Sequence, residues 1–374
     1  MKTDLGEIYV HIPFCVKKCG YCDFVSLACN EEVKDKYFES LHKQIDLKSE
    51  STGNMPVDSV FIGGGTPSIV KGRNIYDVLE HLRRCYRFEK SPEITIEINP
   101  DSCDKEKLSI YKSAGINRVS IGLQSASDAE LKALGRPHNY DDFLRAYDMV
   151  RNAGFENVNV DIMSALPGQT MKTYVSTLEN VISLKPEHIS AYSLIIEEGT
   201  PFNERYASGI GLPDEDTERE MYYVTRDVLG TAGYGRYEIS NYAKTGFECR
   251  HNVGYWQRRP YVGFGIAAAS FYNHTRYQMH TDLNTFISDD FGEEKTVLTI
   301  EDEMAEYMFL GLRMMSGVSI QKFAGLFGKD IYDVYGKVID KLVSEKLMVE
   351  EGDNLRLTDY GVDVSNVCMA EFIL

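Results

Sequence analysis

No apolar run in this chain approaches the ~20 residues that a membrane-spanning helix needs. Its start, MKTDLGEIYV, is charged and has no hydrophobic stretch of signal-peptide length. Both absences point to a cytoplasmic protein with no integral membrane segment. Positive charge is also short: 40 lysines and arginines face 57 acidic residues, a net charge of −17. That field repels phosphate backbones, so nucleic acid is not expected as a partner. Cysteine is too sparse for a secreted disulfide framework, with eight in 374 residues. Five of them, Cys29, Cys85, Cys103, Cys249 and Cys368, are scattered and read as buried or idle thiols. Tryptophan occurs once, and there is no low-complexity tract or short-period repeat.

What is present is a 43% hydrophobic chain, enough for one large domain and a small one. Short β-rich runs lie at 7–12, 57–64, 93–99, 118–124, 157–163 and 188–196, and helical patterns at 34–48, 75–86, 105–115, 142–154 and 173–184 fall between them. Strand alternating with helix six times predicts a parallel α/β sheet, doubly wound or a partial TIM-type barrel. In either, ligands gather at the carboxyl ends of the strands. The strand exits read HIPFC, GGGTPS, EINPD, GLQS, DIMSALPG and YSLIIEEGTPF, all rich in polar residues and glycine. A helix is expected over 214–233, within a unit ending near 235, followed by a connecting segment, 236–300. A helical C-terminal domain, 301–374, carries a hairpin at 347–358 that suggests a small winged-helix-like fold.

Cys15, Cys19 and Cys22 stand at CxxxCxxC spacing on the loop after the first strand. Three thiolates leave one coordination position open, whereas structural zinc sites are closed by four ligands. A [4Fe-4S] cluster held by three cysteines offers one iron to another ligand. The competing possibility is a zinc knuckle completed by His11, Cys29 or a distant histidine.

With Tyr21 directly before the last cysteine, this motif resembles the radical S-adenosylmethionine superfamily, whose partial (β/α)6 barrel would cover the six repeats. The resemblance implies that the open iron is chelated by the amino and carboxylate groups of S-adenosylmethionine, and that one electron cleaves the sulfonium to a 5′-deoxyadenosyl radical. FIGGGTPS follows the second strand, where the superfamily has its methionine-binding turn, so Gly64, Gly65 and Thr66 are carried over to cofactor binding. Three glycines let backbone approach a ligand, with amides expected to be free to bond it. Glu97, Gln124, Arg136 and Asp161, at or just beyond later strand exits, are implied to bind the cofactor's hydroxyls, carboxylate or adenine. Tyr9, Tyr21 and Ser193 join that set.

The wider pattern, YVHIPFC, FIGGGTPS, SIGLQS, LGRPH and DIMSALPGQT with a closing helical domain, is similar to the oxygen-independent coproporphyrinogen III oxidase family. That family comprises an oxidative decarboxylase and a haem-chaperone branch. The decarboxylase motif continues as CxxxCxxCxC behind a long N-terminal arm; here Phe24 replaces the further cysteine and 14 residues precede Cys15. The chaperone branch carries HNxxYW, matched by HNVGYW at 251–256. Within this segment His251 can ligate iron, Tyr255 and Trp256 can cover a porphyrin face, and Arg250, Arg258 and Arg259 can pair with propionates. Cys249, His274 and His280 are further ligand candidates, and a core role for His251, Tyr255 and Trp256 is the alternative. The resemblance therefore implies a haem or porphyrin ligand, a haem-recipient protein and, if the cofactor is turned over, a flavodoxin or ferredoxin as electron donor. Haem delivery and decarboxylation to protoporphyrinogen IX are the two activities it leaves open.

Overall fold

The computed structural model describes residues 5–373, so the outermost ends of the expected domains, 1–4 and 374, lie outside the described residues. Six parallel strands run β1 (Gly6–Ile12), β2 (Pro56–Gly64), β3 (Arg87–Ile98), β4 (Arg118–Gln124), β5 (Asn157–Ser164) and β6 (His188–Ser193). They pair side by side in chain order. Between them lie α1 (Glu31–Thr52), α2 (Gly72–Cys85), α3 (Lys105–Ser113), α4 (Asp128–Leu134), α5 (Tyr140–Asn152) and α6 (Met171–Leu184). Cap chemistry sets several helix starts: Asn30, Asp104, Asn139 and Thr170 each accept from a first-turn amide.

The strands alternate sharply. Ile8, Val10, Ile12, Val60, Ile62, Ile96, Val119, Ile121, Val158, Val160 and Ile189 are fully buried in the main core, which also takes in residues from the surrounding helices. Each such side chain contributes about 1.5 to 3 kcal/mol on burial. The opposite strand face is polar and in register: Glu97 pairs with Ser120, Ser120 with Asn159 and Asn159 with His188, while Gly122 pairs with Asp161 and Asp161 with Ser190. Parallel strands covered on both faces usually read as continuous apolar runs. Here one face is turned to a polar lumen, so the sheet is a partial barrel with its helices outside.

After α7 (Pro201–Tyr206) and α8 (Glu215–Thr231) come β7 (Gly235–Arg236) and β8 (Asn241–Ala243); β8 pairs antiparallel with β6, and β7 antiparallel with β8 at the edge. Then α9 (Arg250–Trp256) leads to β9 (Tyr261–Phe264), parallel to β1, and to a meander of β10 (Ala269–Tyr272), β11 (Thr275–Met279) and β12 (Glu293–Val297). The segment expected as a connector, 236–300, therefore extends both edges of the same twelve-stranded sheet. The short α10 (Leu283–Ile287) lies between the last two of those strands. The C-terminal unit has its own core around α11 (Ile300–Gly311), α12 (Ile320–Phe327) and α13 (Ile331–Ser344). Its small sheet joins β13 (Val318–Ser319) to the hairpin β14 (Met348–Glu351) and β15 (Asn354–Leu357), at the position the sequence suggested. No helix among the described residues is long and apolar enough to cross a membrane.

Candidate functional site

The three cysteines occupy the loop from β1 to α1, half-buried beside the lumen. Neighbouring segments hold that loop by backbone bonds: Cys15 N–H donates to Leu27 O (3.0 Å), Gly20 N–H to Leu134 O (3.4 Å), and Phe202 N–H to Gly20 O (2.9 Å). Cys15 Sγ lies 3.3 Å from the Thr66 hydroxyl, and Arg136 directs Nη1 at Cys19 Sγ from 3.7 Å. Burial pushes the Cys22 thiol up from its ordinary value, so a bound metal's charge is what would favour its thiolate. His11 is not a fourth ligand in this conformation: Nε2 bonds Val25 O at 2.9 Å and Nδ1 the Tyr9 hydroxyl at 3.1 Å.

A cavity of about 640 Å³ opens beside the loop and runs down the lumen. Its wall includes Tyr21, Cys22, Gly64, Gly65, Thr66, Glu97, Gln124, Arg136, Asp161 and Ser193. Tyr9 is the exception among the expected cofactor residues; it stacks on Phe61 (centroids 6.4 Å apart) and does not reach the wall. The glycine turn is required by its surroundings. Gly64 has φ +110°, and a Cβ there would lie 2.5 Å from the His11 ring; one on Gly65 would lie 2.7 Å from Phe14 O. Its amides are not free, which corrects the sequence expectation. Gly64 N–H donates to Glu97 Oε2 (3.2 Å), Gly65 N–H to Ile12 O (2.9 Å) and Thr66 N–H to Phe14 O (2.7 Å). What the turn can offer a ligand is carbonyl oxygen, which suits an ammonium group better than a carboxylate.

Charge inside the lumen is tuned by burial. Glu97 is pushed up to about 8, first by desolvation and then by Asp161, while the Gly64 amide opposes the shift. Asp161 is also raised by burial, although it accepts from Ser120 Oγ (3.1 Å) and Asn159 Nδ2 (2.7 Å). Arg136 ties three exits together, donating through Nη2 to Asn99 Oδ1 (2.8 Å) and Gly122 O (2.9 Å) while facing Cys19. Gln124 holds a left-handed backbone, φ 73°, and accepts from the Tyr192 hydroxyl at 3.1 Å. Ser193 Oγ pairs with Ser164 Oγ at 3.1 Å. Sequence reasoning missed Asn99, Arg118, Ser120, Asn159, Ser190 and Asn252, all on the wall. The alternation of polar and apolar residues within parallel strands was the signal that could have found most of them.

The HNVGYW segment is α9, and it packs across the far end of the lumen. Glu93 receives its first amides, from Arg250 N–H (3.2 Å) and His251 N–H (3.3 Å). His251 is 1% exposed, with Nδ1 2.9 Å from Ser59 Oγ, its ring stacked on Phe61 and its edge against Tyr255. Burial, then the Arg118 charge, lowers its pKa to about 3, so it is neutral. Trp256 lies under the Arg313 guanidinium, 4.3 Å from the ring centroid. The arginines expected to meet propionates are engaged within the chain: Arg250 and Arg259 with Asp58 (3.2 and 3.1 Å), and Arg258 with Glu306 (2.9 Å). Cys249 is buried against Glu93, His280 bonds Asp290 O, and exposed His274 pairs with Glu303. In this conformation His251 is closed off from a porphyrin, while Tyr255 and Trp256 are half-buried.

The Radical SAM superfamily profile matches residues 9–181, and the HemN C-terminal domain profile matches 298–364. The protein named heme chaperone HemW from Lactococcus lactis is 34% identical over 373 residues, covering 99% of this chain and 97% of the relative. HemW from Escherichia coli is 32% identical, covering 95% and 94%. In fold, the chain matches the solved structure of coproporphyrinogen III oxidase (HemN) from Escherichia coli with a TM-score of 0.87 at 20% identity, covering 99% of this chain and 90% of that one. With a three-cysteine loop at the mouth of a polar half-barrel and full-length relatives above 30% identity, the chain belongs to the HemW family of the radical SAM superfamily.

Proposed function

We propose that this protein is a cytoplasmic haem chaperone of the radical SAM type, which binds haem and passes it to a haem-recipient protein. The observation that carries the metal part is the trio of half-buried thiols on one loop, with Cys22 on the wall of a cavity that holds both acceptors and a guanidinium. Cys15, Cys19 and Cys22 would hold a [4Fe-4S] cluster with one iron open. The Thr66 hydroxyl and Arg136 lie beside the Cys15 and Cys19 sulfurs and would orient them as ligands. S-adenosylmethionine would enter the cavity, its ammonium toward the Gly64–Gly65 carbonyls and its carboxylate toward Arg136. When bound, cluster and nucleotide supply one-electron reduction of a sulfonium, with a flavodoxin or ferredoxin as the electron source. Glu97, Gln124, Asp161 and Ser193 orient the nucleotide's polar groups, while Tyr21, edge-on to Phe202, shields the inner side of the loop.

The haem part rests on the HemW relatives and on Phe24. That side chain stands where the decarboxylase motif has a further cysteine, and it is 67% exposed at the cavity rim, as is Ile195. Two exposed apolar side chains beside the cluster loop suit a porphyrin face. His251, 1% exposed, can reach a haem iron only if α9 withdraws from the lumen, whereas the half-buried Tyr255 and Trp256 flank it. The test is anaerobic iron-sulfur reconstitution followed by parallel assays with haem and with coproporphyrinogen III. Stoichiometric haem binding without carbon dioxide release is expected. Decarboxylation at the rate of an authentic oxidase would replace the chaperone assignment with the enzymatic one.

A further inference from the structure

Outside the barrel, on the helical layer, four residues of metal-binding type converge. α1 carries His42 and Asp46 one helical turn apart, and α2 carries His81 and Cys85 at the same spacing. Where the two helices pack, Asp46, His81 and Cys85 offer an oxygen, a nitrogen and a sulfur all within 4.8 Å of one another. His81 Nε2 lies 2.6 Å from Asp46 Oδ1, and Cys85 Sγ lies 3.8 Å from the same oxygen. His81 is buried and its ring stacks on His42, with the two Nδ1 atoms 2.7 Å apart. Asp46 is exposed and Cys85 half-buried, so the donors face outward.

We propose that Asp46, His81 and Cys85 form a second metal site, for a divalent ion of borderline softness such as zinc, independent of the cysteine trio. Carboxylate, imidazole and thiolate together match that class of ion, and three protein ligands leave the fourth position to water. Around a tetrahedral ion at the usual bond lengths, neighbouring donors stand about 3.3 to 3.8 Å apart. The sulfur–oxygen distance already fits, and the exposed Asp46 has only to turn away from His81 to open its shorter contact. His42 completes the arrangement as a positioning residue. A histidine ligand is oriented by a partner on its other ring nitrogen, and His42 Nδ1 sits on His81 Nδ1.

The proton balance is explicit. Without metal, His81 Nε2–H donates to the Asp46 carboxylate, and His81 Nδ1 accepts from His42 Nδ1–H. Binding moves the His81 proton from Nε2 to Nδ1, where it donates to His42, whose own proton moves to Nε2. The number of protons on the two rings is unchanged, and the Cys85 thiol releases its proton to solvent as the metal–sulfur bond forms.

The test uses the full-length chain with Cys15, Cys19 and Cys22 all changed to Ser, titrated with Co²⁺ in the absence of oxygen. Binding of one equivalent with a thiolate-to-cobalt charge-transfer band is expected. Cys85→Ser should abolish the band, His81→Ala should weaken binding at least about tenfold, and His42→Ala should weaken it by about 10-fold to 100-fold while keeping the band. A band that survives Cys85→Ser, or no stoichiometric uptake by the parent, overturns the site and leaves a plain hydrogen-bond relay. Should the triple variant fail to fold, zinc content is compared between the cluster-loaded wild-type chain and its Cys85→Ser/His81→Ala variant. Loss of one zinc per chain is expected, and equal content overturns the proposal.

Discussion

Gly254→Ala tests whether α9 is seated against β1 inside the barrel end. A Cβ at residue 254 would lie 1.7 Å from Glu7 Oε1 and 2.2 Å from its Cδ. Glu7 is 0% exposed, neither of its carboxyl oxygens has a hydrogen-bond partner among the described residues, and burial raises its carboxyl well above the usual carboxylate range. Alanine should favour an isolated helix by about 1 kcal/mol over glycine. Overpacking at a filled site costs about 1 to 3 kcal/mol. The single variant should therefore lose up to about 2 kcal/mol net, despite a better helix former. In a Glu7→Ala background the collision is gone, and the same substitution should become neutral or stabilising by up to about 1 kcal/mol. Urea unfolding of the four proteins gives the coupling energy, expected near 2 kcal/mol. Effects that add to within about 0.5 kcal/mol would refute the packing of α9 on Glu7.

Three further outcomes follow from the same geometry. Gly64→Ala should weaken S-adenosylmethionine binding by more than tenfold, measured by calorimetry on reconstituted protein, because its φ of +110° and the His11 ring both reject a side chain; near-wild-type affinity would contradict this account of the turn. Glu97 has a folded pKa of about 8, above the unfolded ~4.3, so its stabilising effect is full below the unfolded value and is lost as pH rises toward 8. Cofactor-free wild type should therefore lose stability between pH 5 and 8 relative to Glu97→Gln, by at most about 1.4 kcal/mol per pH unit, and parallel pH profiles would contradict the shift. His251→Ala should lower stability by about 2 to 4 kcal/mol through loss of the Ser59 bond and the Phe61 and Tyr255 contacts, with haem affinity nearly unchanged. A variant of wild-type stability that binds haem tenfold more weakly would show instead that α9 unseats to ligate iron.

Much of the candidate site was legible because its parts are local. CxxxCxxC, the glycine turn and the exit residues each sit within a few residues of a recognisable strand end, and strand ends of a parallel sheet share one side. Gly64 shows the limit. Its place in the turn was read from sequence, but the donation of its amide to Glu97, 33 residues away, depends on how β2 and β3 are stacked. The HNVGYW helix was less legible still. Histidine among aromatics and arginines looks the same in sequence whether it faces a ligand or fills a barrel end; the partners that distinguish the two, Asp58, Ser59 and Glu93, come from strands more than 150 residues earlier. Cys85 read as an idle thiol for the same reason: its neighbours on α1 are invisible to a scan for clustered cysteines.

By itself the chain's residue order determined the βα repeat, the three-thiol loop and the alternation that turns a polar strand face inward, because each reports the environment of one element along its own period. Only the tertiary structure decided which elements meet. Barrel closure set Arg136 against Cys19, seated α9 on Glu93 and brought two helix faces together at His81. Such contacts follow from strand register and helix packing, and no local periodicity encodes a distance between residues so far apart along the chain.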